Sequence, residues 1–279
     1  MRTIQAQVIT DAVKELCIEA CCVLTEDVCN AFCEAREREE SPIGREIFSV
    51  MEENAAFAKA ERIPACQDTG MAVVFLEVGQ DLHIDGGLED AVNEGVRRGY
   101  IDGGLRLSVV GDPLRRVNTN DNTPAVIHTR LVPGDKLTIT VAPKGFGSEN
   151  MSAMRMFRPA NTAADVRDFV VETASKAGSN PCPPMVIGVG LGGTIELAAL
   201  QAKRALLREI GTSHPDPLYA ALEAETLAAV NRLGIGPQGL GGTVTALAVH
   251  FEPCATHIAG LPCVVNMGCH ITRHAKTVL

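Results

Sequence analysis

The N-terminal part of the chain shows the hydrophobic periodicity of helices. Apolar side chains fall on one helical face at Ile4, Val8, Ile9, Val13, Leu16 and Ala20. The charged run from Glu34 to Glu40 is typical of a solvated helix face. Ser41 followed by Pro42 predicts a new helix start, because serine caps a helix and proline suits its first turn. The pattern therefore predicts a helical region over about residues 1–61.

Apolar runs of strand length alternate with helical patterns further along the chain. Strands are predicted at Met71–Val78, Ala125–Val132, Lys136–Val141, Met185–Val189, Thr243–Phe251 and Pro262–Met267. Helices are predicted at Leu88–Ile101, Val166–Ala177, Thr194–Ile210 and Pro215–Leu233. A short turn, Pro133–Asp135, joins two of the β-branched runs and predicts that they pair as a hairpin. We expect one mixed α/β domain over residues 1–279, with a helical N-terminal region and an α/β core built on a mixed sheet.

Composition and charge narrow the classes of function. A net charge of −9 and a pI near 5.3 argue against the basic surface that nucleic acids require. No uncharged apolar stretch reaches the ~18 residues of a membrane span, and the N-terminus lacks the pattern of a signal peptide. We therefore expect a cytoplasmic protein that binds neither nucleic acid nor membrane. Aromatic residues make up only 4%, so the core should be aliphatic.

The ten cysteines fall into different contexts. Reduced thiols are expected in the cytoplasm, so each cysteine is a buried filler, a metal ligand or a reactive group. The helical pattern favours core packing for Cys17, Cys21, Cys22, Cys29 and Cys33. Three others, Cys66, Cys182 and Cys269, lie in loop-like segments rich in glycine, proline or polar residues, which makes them candidate ligands or nucleophiles. Their spacing alone does not group them into one site.

Two glycine-rich segments are candidate ligand-binding turns. Gly188–Gly193 contains G-x-G-x-x-G between a predicted strand and a predicted helix, as in dinucleotide-binding proteins. The acidic residue at the end of a second parallel strand, which that fingerprint needs, is missing. The remaining interpretation is a helix N-terminus near Cys182 that could stabilise an anion. Gly236–Gly242 is a second such segment, for which simple tight turns are an equal alternative.

Several polar residues have both functional and structural interpretations. Asp68 after Gln67 could transfer protons beside a polarised substrate, or could simply form a turn. Arg106 lies between apolar positions, as expected of an arginine that pairs with a carboxylate or binds an anionic ligand. His257 and His270 are close in sequence to the last cysteines, where ordinary hydrogen-bonded histidines are as plausible as catalytic ones.

Several motifs in order resemble one family of enzymes. Cys66–Gly70 (CQDTG), Lys144–Asn150 (KGFGSEN), Asn180–Pro184 (NPCPP) and Gly268–His270 (GCH) are similar to the α subunit of the iron–sulfur hydro-lyases. This family comprises class I fumarate hydratase and L(+)-tartrate dehydratase. The resemblance covers nearly the whole chain and implies a [4Fe–4S] cluster held by Cys66, Cys182 and Cys269.

The resemblance also implies roles for other residues and for a partner. Gln67, Arg106 and Gly147 would contact the substrate, and Asp68 and His257 would form a proton-handling pair. Single-chain relatives complete the site with a C-terminal domain, so we expect a separate β subunit here and an α₂β₂ complex. Reversible hydration of fumarate to (S)-malate is the first expectation. L(+)-tartrate dehydration, a non-catalytic cluster-binding subunit and a nucleotide-binding module are the alternatives.

Overall fold

A computed structural model describes residues 2–279 and confirms the mixed α/β class. The helices are α1 (Ala6–Cys22), α2 (Glu26–Arg38), α3 (Pro42–Glu61), α4 (Leu88–Asp102), α5 (Phe146–Glu149), α6 (Ala163–Ala177), α7 (Ile195–Ala205) and α8 (Pro217–Asn231). The strands are β1 (Arg2–Gln5), β2 (Met71–Gly79), β3 (Leu82–Asp85), β4 (Val126–Val132), β5 (Leu137–Lys144), β6 (Ala153–Phe157), β7 (Met185–Gly192), β8 (Ala246–Cys254), β9 (Leu261–Gly268) and β10 (Ala275–Val278).

Each long predicted element is present, and most deviations lie at its ends. Helix α7 ends at Ala205, although the sequence predicts helix to Ile210, and β7 continues to Gly192, beyond the predicted Val189. The pattern did not predict the short strands β1, β3, β6 and β10. Strands of four or five residues carry too few positions for a period of two to be recognised.

The chain divides into two compact units. One consists of the chain through Leu24, Ala55–Phe146 and Arg273–Leu279, and the other of Thr25–Asn54 and Gly147–Thr272. The predicted N-terminal helical region is therefore shared between them. That residues 1–279 form one family domain stays a prediction.

The first unit contains a four-stranded mixed sheet in the order β10-β5-β2-β4. Strand β2 pairs in parallel with β4 and antiparallel with β5, so the predicted hairpin of β4 with β5 is wrong. The turn that joins them passes over the end of β2. A Cβ at Gly79 would lie 2.3 Å from the carbonyl oxygen of Gly134, so the absence of a side chain at Gly79 allows this crossing.

Helices α1 and α4 of the first unit pack closely where α4 carries glycines. A Cβ at Gly95 would lie 2.7 Å from the carbonyl oxygen of Thr10, and one at Gly99 would lie 2.8 Å from the Cβ of Cys17. Small residues at these two positions let the helix backbones approach. Tyr100 is fully buried in the same core.

The second unit contains a mixed sheet in the order β6-β9-β7-β8. Helix α7 lies directly on β7, because a Cβ at Gly190 would lie 1.9 Å from the carbonyl oxygen of Ala198. A Cβ at Gly188 would lie 2.2 Å from the carbonyl oxygen of Ala202. These glycines of the G-x-G-x-x-G segment therefore serve the packing of helix on strand.

The second glycine-rich segment, Gly236–Gly242, forms tight turns anchored by a buried carboxylate. Its four glycines all have positive φ, at Gly236, Gly239, Gly241 and Gly242. Glu39 is fully buried and accepts hydrogen bonds from the N–H groups of Ser41, Thr243 and Val244 at 2.8 to 3.0 Å. The interpretation of this segment as tight turns is confirmed.

The five N-terminal cysteines differ in burial. Cys17, Cys21 and Cys22 are buried as predicted, whereas Cys29 is half-buried and Cys33 is exposed. The last two lie on α2, whose buried face is formed by Val28, Ala31, Phe32 and Ala35. Across residues 2–279, no helix combines the length and the apolar character needed to cross a membrane.

Candidate active site

The loop after Cys66, in the first unit, holds a carboxylate at its centre. Asp68 Oδ1 accepts the N–H of Gly70 at 3.0 Å, which closes an Asx turn. Asp68 Oδ2 accepts the N–H of Phe146 at 2.9 Å. A Cβ at Gly70 would lie 2.6 Å from the carbonyl carbon of Lys144, so the two loops pack backbone against backbone. These contacts give the Asp68 carboxylate one fixed orientation.

Arg106 is tied to the same loop through Thr69. The N–H of Arg106 donates to Thr69 Oγ1 at 2.9 Å, and this hydroxyl donates to the Arg106 carbonyl oxygen at 3.3 Å. Arg106 is an exposed residue and, within the described part of the chain, forms no ion pair. Its guanidinium can therefore bind an anionic ligand, and a carboxylate would fit its paired donors.

Cys66 and Gln67 begin this loop. The Cys66 thiol donates to Gln67 Oε1 at 3.6 Å, Cys66 is half-buried and Gln67 is exposed. The first unit thus brings together four of the predicted site residues: Cys66, Gln67, Asp68 and Arg106.

Two buried residues that sequence reasoning missed support the loop by donating hydrogen bonds to its backbone carbonyl groups. Tyr100 Oη donates to the carbonyl oxygen of Thr69 at 2.9 Å, and Asn122 Nδ2 donates to that of Gly70 at 3.1 Å. Asn122 Oδ1 also accepts the N–H of Ser108 at 2.7 Å, close to Arg106 in the chain. Both side chains are fully buried. Tyr100 looked like one more apolar position of a helix, and Asn122 like a loop residue.

In the second unit, the loops of Cys182 and Cys269 meet. The Cys182 carbonyl oxygen accepts the N–H of His270 at 3.2 Å and lies 2.9 Å from His270 Nδ1. Cys182 is exposed and has a φ of +54°, a left-handed conformation that costs a non-glycine residue energy and is concentrated at functional sites. Cys269 directly precedes His270, so these contacts hold both cysteine-bearing loops together.

The Lys144–Asn150 motif also reaches the Cys182 loop. A Cβ at Gly147 would lie 3.5 Å from the carbonyl oxygen of Asn180, which is two residues before Cys182. Glu149 of the motif lies 2.5 and 2.6 Å from Lys203 Nζ through its two carboxylate oxygens. Its Oε2 accepts Asn266 Nδ2 at 3.0 Å. Glu149 is therefore an anchor of the motif to α7 and β9.

His257 lies at the other end of the sheet from the two cysteines. Strands β7 and β8 run parallel and end opposite each other at Gly192 and Cys254, and His257 follows three residues later. Cys182 precedes the start of β7, and Cys269 follows the end of the antiparallel β9. The intervening β7 has eight residues and spans roughly 25 Å. The structure therefore does not bring His257 to Cys182 and Cys269 within this unit.

The expectation of an anion-binding helix start near Cys182 is wrong for the same reason. Helix α7 begins after β7, at the end opposite Cys182. Its start adjoins the segment after β8, where Thr256 Oγ1 donates to the carbonyl oxygen of Gly193 at 3.3 Å. Cys182 and the start of α7 are close along the sequence, but the extended strand β7 between them separates them in space.

Burial separates the structural cysteines from the loop cysteines. Burial raises the pKa of the Cys21 thiol to about 11 and that of Cys263 to about 12, so both stay protonated and inert. Cys66, Cys182 and Cys269 are half-buried or exposed. Among residues 2–279, no three His, Cys, Asp or Glu side chains converge in an arrangement that could hold a metal ion. The assignment of the three loop cysteines as ligands stays a prediction.

Comparison with known proteins defines the class of this chain. Residues 10–278 match the profile of the family described as fumarate hydratase (Fumerase). The chain belongs to this family and is a hydro-lyase subunit of the α type. The predicted family membership is thereby confirmed.

Comparison with individual proteins shows which members of the family this chain is similar to. The chain is 40% identical over 274 residues to a putative L(+)-tartrate dehydratase subunit alpha of Methanocaldococcus jannaschii, covering 96% of each chain. It is 32% identical over 260 residues to the L(+)-tartrate dehydratase subunit alpha of Escherichia coli strain K12, covering 92% of this chain and 86% of the relative.

Proposed function

We propose that this chain is the α subunit of a dicarboxylate hydro-lyase whose substrate is L(+)-tartrate, which loses water to give oxaloacetate. The observation that carries the proposal is the pairing of Arg106 with the Asp68 loop through Thr69. This pairing supports a common site in which the Arg106 guanidinium binds an anion and the Asp68 carboxylate handles a proton. The names of the relatives favour tartrate over the fumarate and (S)-malate that we expected first. Fumarate hydration is the second candidate, since the family profile carries that description.

The proposed cofactor is a [4Fe–4S] cluster held by Cys66, Cys182 and Cys269. The donor set fits this group, because thiolates are the usual ligands of iron–sulfur clusters. The cysteines lie in loops rather than in the core, and two of those loops are joined at His270. When bound by only three cysteines, such a cluster supplies an iron that can act as a Lewis acid on a substrate hydroxyl and carboxylate.

The residues of the chain then take the following proposed roles. Arg106 binds a substrate carboxylate through its paired N–H donors. Asp68, oriented by two backbone N–H groups, holds and transfers a proton at its carboxylate. Gln67 and the backbone of Gly147 contact the substrate. The participation of His257 with Asp68 is supported by the family resemblance alone.

A separate β subunit completes the proposed enzyme. The relatives are named as alpha subunits, which implies a partner chain, and we propose an α₂β₂ assembly. We also propose a cytoplasmic location, where the thiols needed for cluster assembly stay reduced. The isolated, cluster-loaded chain should lack normal turnover, and robust dehydratase activity without a β subunit would contradict the assembly.

The test is a comparison of substrates with the α and β subunits produced together under anaerobic conditions. We expect the highest kcat/KM on L(+)-tartrate, with oxaloacetate as product. Preferred turnover of fumarate or (S)-malate would establish the second candidate instead, and turnover of neither substrate would refute the proposed function.

Asp68→Asn tests the role of the chain in the reaction. It should abolish turnover while the iron and sulfide content stays at the wild-type level. Asp81→Asn, at an exposed turn of the same unit, is the matched control and should leave turnover unchanged. Full turnover in the Asp68 variant would indicate that this chain is a scaffold for chemistry supplied by its partner.

A further inference from the structure

Arg273 is a buried arginine to which neither the motifs nor the resemblance assigns a role. Only 6% of it is exposed. A buried guanidinium is costly unless its N–H groups are hydrogen-bonded. Its Nη2 donates to the carbonyl oxygen of Asp68, and its Nε donates to that of Pro143 at 3.4 Å. Two of its donor atoms, Nη2 and Nε, therefore bind the backbone of two different segments, the Asp68 loop and the end of β5.

The two segments that Arg273 joins are the ones that orient the Asp68 carboxylate. Pro143 belongs to β5, three residues before Phe146, whose N–H donates to Asp68 Oδ2. Gly145 lies between them, and a Cβ there would lie 3.1 Å from Asp68 Oδ2 and 3.9 Å from Arg273 Nη2. Arg273 and Asp68 thus contact the same short stretch of backbone.

The position of Arg273 is itself fixed by sheet pairing. Ala275, two residues later, pairs with Val141 where β10 joins β5. The guanidinium is held close to the loop that it binds, and its charge also reaches the buried thiol of Cys21, where it opposes the effect of burial on the pKa. Arg273 is therefore a fixed element of the first unit.

We propose that Arg273 is a positioning residue of the hydro-lyase, which clamps the Asp68 loop to the Pro143–Phe146 turn so that the carboxylate keeps its reactive orientation. This inference rests on the proposed role of Asp68. We assign Arg273 a positioning role and not a contact with substrate, because it is buried and its Nη2 and Nε donate to backbone carbonyls. Thr69 and Arg106 keep a separate support, because Tyr100 donates to the carbonyl oxygen of Thr69.

The clamp predicts a loss in kcat rather than in substrate binding. In the α–β complex, R273M should lower kcat by about 100-fold, since a displacement of about 1 Å at a reacting group costs that much. KM should stay within about threefold, because Arg106 remains in place. R273K keeps the charge but offers its donors from a single nitrogen, so it should recover part of the lost kcat. K276M, at an exposed position of β10, is the matched control and should behave like the wild type.

A second measurement does not depend on activity. Hydrogen exchange of the Gly70 and Phe146 amides should be faster in R273M than in the wild type and in K276M, because both amides donate to Asp68. Unchanged exchange, or a wild-type kcat in R273M, would overturn the proposal. A rise in KM at constant kcat would also overturn it, by showing that Arg273 binds substrate.

The two proposals fail in different ways. If the wild-type complex turns over neither tartrate nor fumarate, the proposed function fails, while amide exchange still decides the clamp. If R273M does not fold, R273K decides. Its shorter side chain ends in one nitrogen and should not hold both the Asp68 and the Pro143 carbonyl groups, so we expect faster exchange at Gly70 and Phe146. Wild-type exchange and kcat in R273K would then count against the clamp.

Discussion

The carbonyl oxygen of Cys182 accepts the backbone N–H of His270 at 3.2 Å and lies 2.9 Å from the Nδ1 atom of its ring. One residue thus contacts the backbone of one candidate ligand and is the covalent neighbour of another, Cys269. The left-handed backbone of Cys182 needs such support, because it is costly for a residue with a Cβ.

His270→Ala should loosen the Cys182 loop. We expect iron and sulfide to be lost from the anaerobically loaded protein several times faster than from the wild type, while the far-ultraviolet circular dichroism is retained. His83→Ala, on the short strand β3, is the control. Equal rates of loss in the His270 variant and the wild type would show that this contact does not hold the loop.

Cys66→Ser, Cys182→Ser and Cys269→Ser should each sharply reduce bound iron and sulfide after anaerobic reconstitution. The wild type should carry about four of each per chain, as expected for one [4Fe–4S] cluster. Cys33→Ser is the matched control, because this exposed cysteine lies on α2 and not in a candidate loop. Wild-type content in any of the three loop variants would remove that cysteine from the ligand set.

Gly190→Ala should destabilise the protein by about 3 kcal/mol, at the upper end of the cost of overpacking. The added Cβ would lie 1.9 Å from the carbonyl oxygen of Ala198, so α7 must move off β7. Gly260→Ala is the control, because its nearest contact would be 3.9 Å away. The measurement is urea unfolding at equilibrium, and equal midpoints for the two variants would refute the packing role of Gly190.

Glu39 should make stability depend on pH. Burial alone raises the pKa of Glu39, but the N–H groups of Ser41, Thr243 and Val244 outweigh it and hold the pKa below its ordinary value. The contribution is therefore complete above the unfolded pKa of about 4.3 and is lost as pH falls through the folded value.

Glu39→Gln should cost about 2 kcal/mol at pH 7, since hydrogen bonds to a charged group are replaced by weaker ones. The cost should shrink progressively below about pH 4, as the pH falls through the depressed pKa of the folded carboxyl and the wild-type side chain becomes protonated as well. Urea unfolding of both proteins at the two pH values measures this, with the exposed neighbour substitution Glu40→Gln as control. A penalty that does not change with pH would show that Glu39 acts by shape and not by charge.

The sequence was sufficient for the long elements and the fold class, because long periodic segments reveal which face is buried. The prediction from sequence failed where strand pairing depends on segments that are distant in the chain. The turn Pro133–Asp135 has the local chemistry of a hairpin, yet β2 lies between the strands that it joins. No local pattern shows that Gly79 leaves room for that crossing.

In the candidate site, too, some residues could be predicted from the sequence and others could not. Cys66, Asp68 and Arg106 could be selected because loop residues and an arginine among apolar positions are unusual in sequence. Tyr100 and Arg273 could not, because their importance lies in the carbonyl groups that they reach, 31 and 205 residues away in the chain. The burial of a polar side chain, which would have identified them, is known only from the fold.

The first unit is assembled from segments that are far apart in the chain, and this affects the order in which it folds during synthesis. The unit is built from the chain through Leu24, a central stretch and residues 273–279, whereas the second unit is complete at Thr272. Proteins emerge N-terminus first and fold in part during synthesis. Strand β10 and Arg273 reach β5 only after residues 147–272 have been translated, so the loop of Asp68 should acquire its final order after the whole second unit has been synthesised.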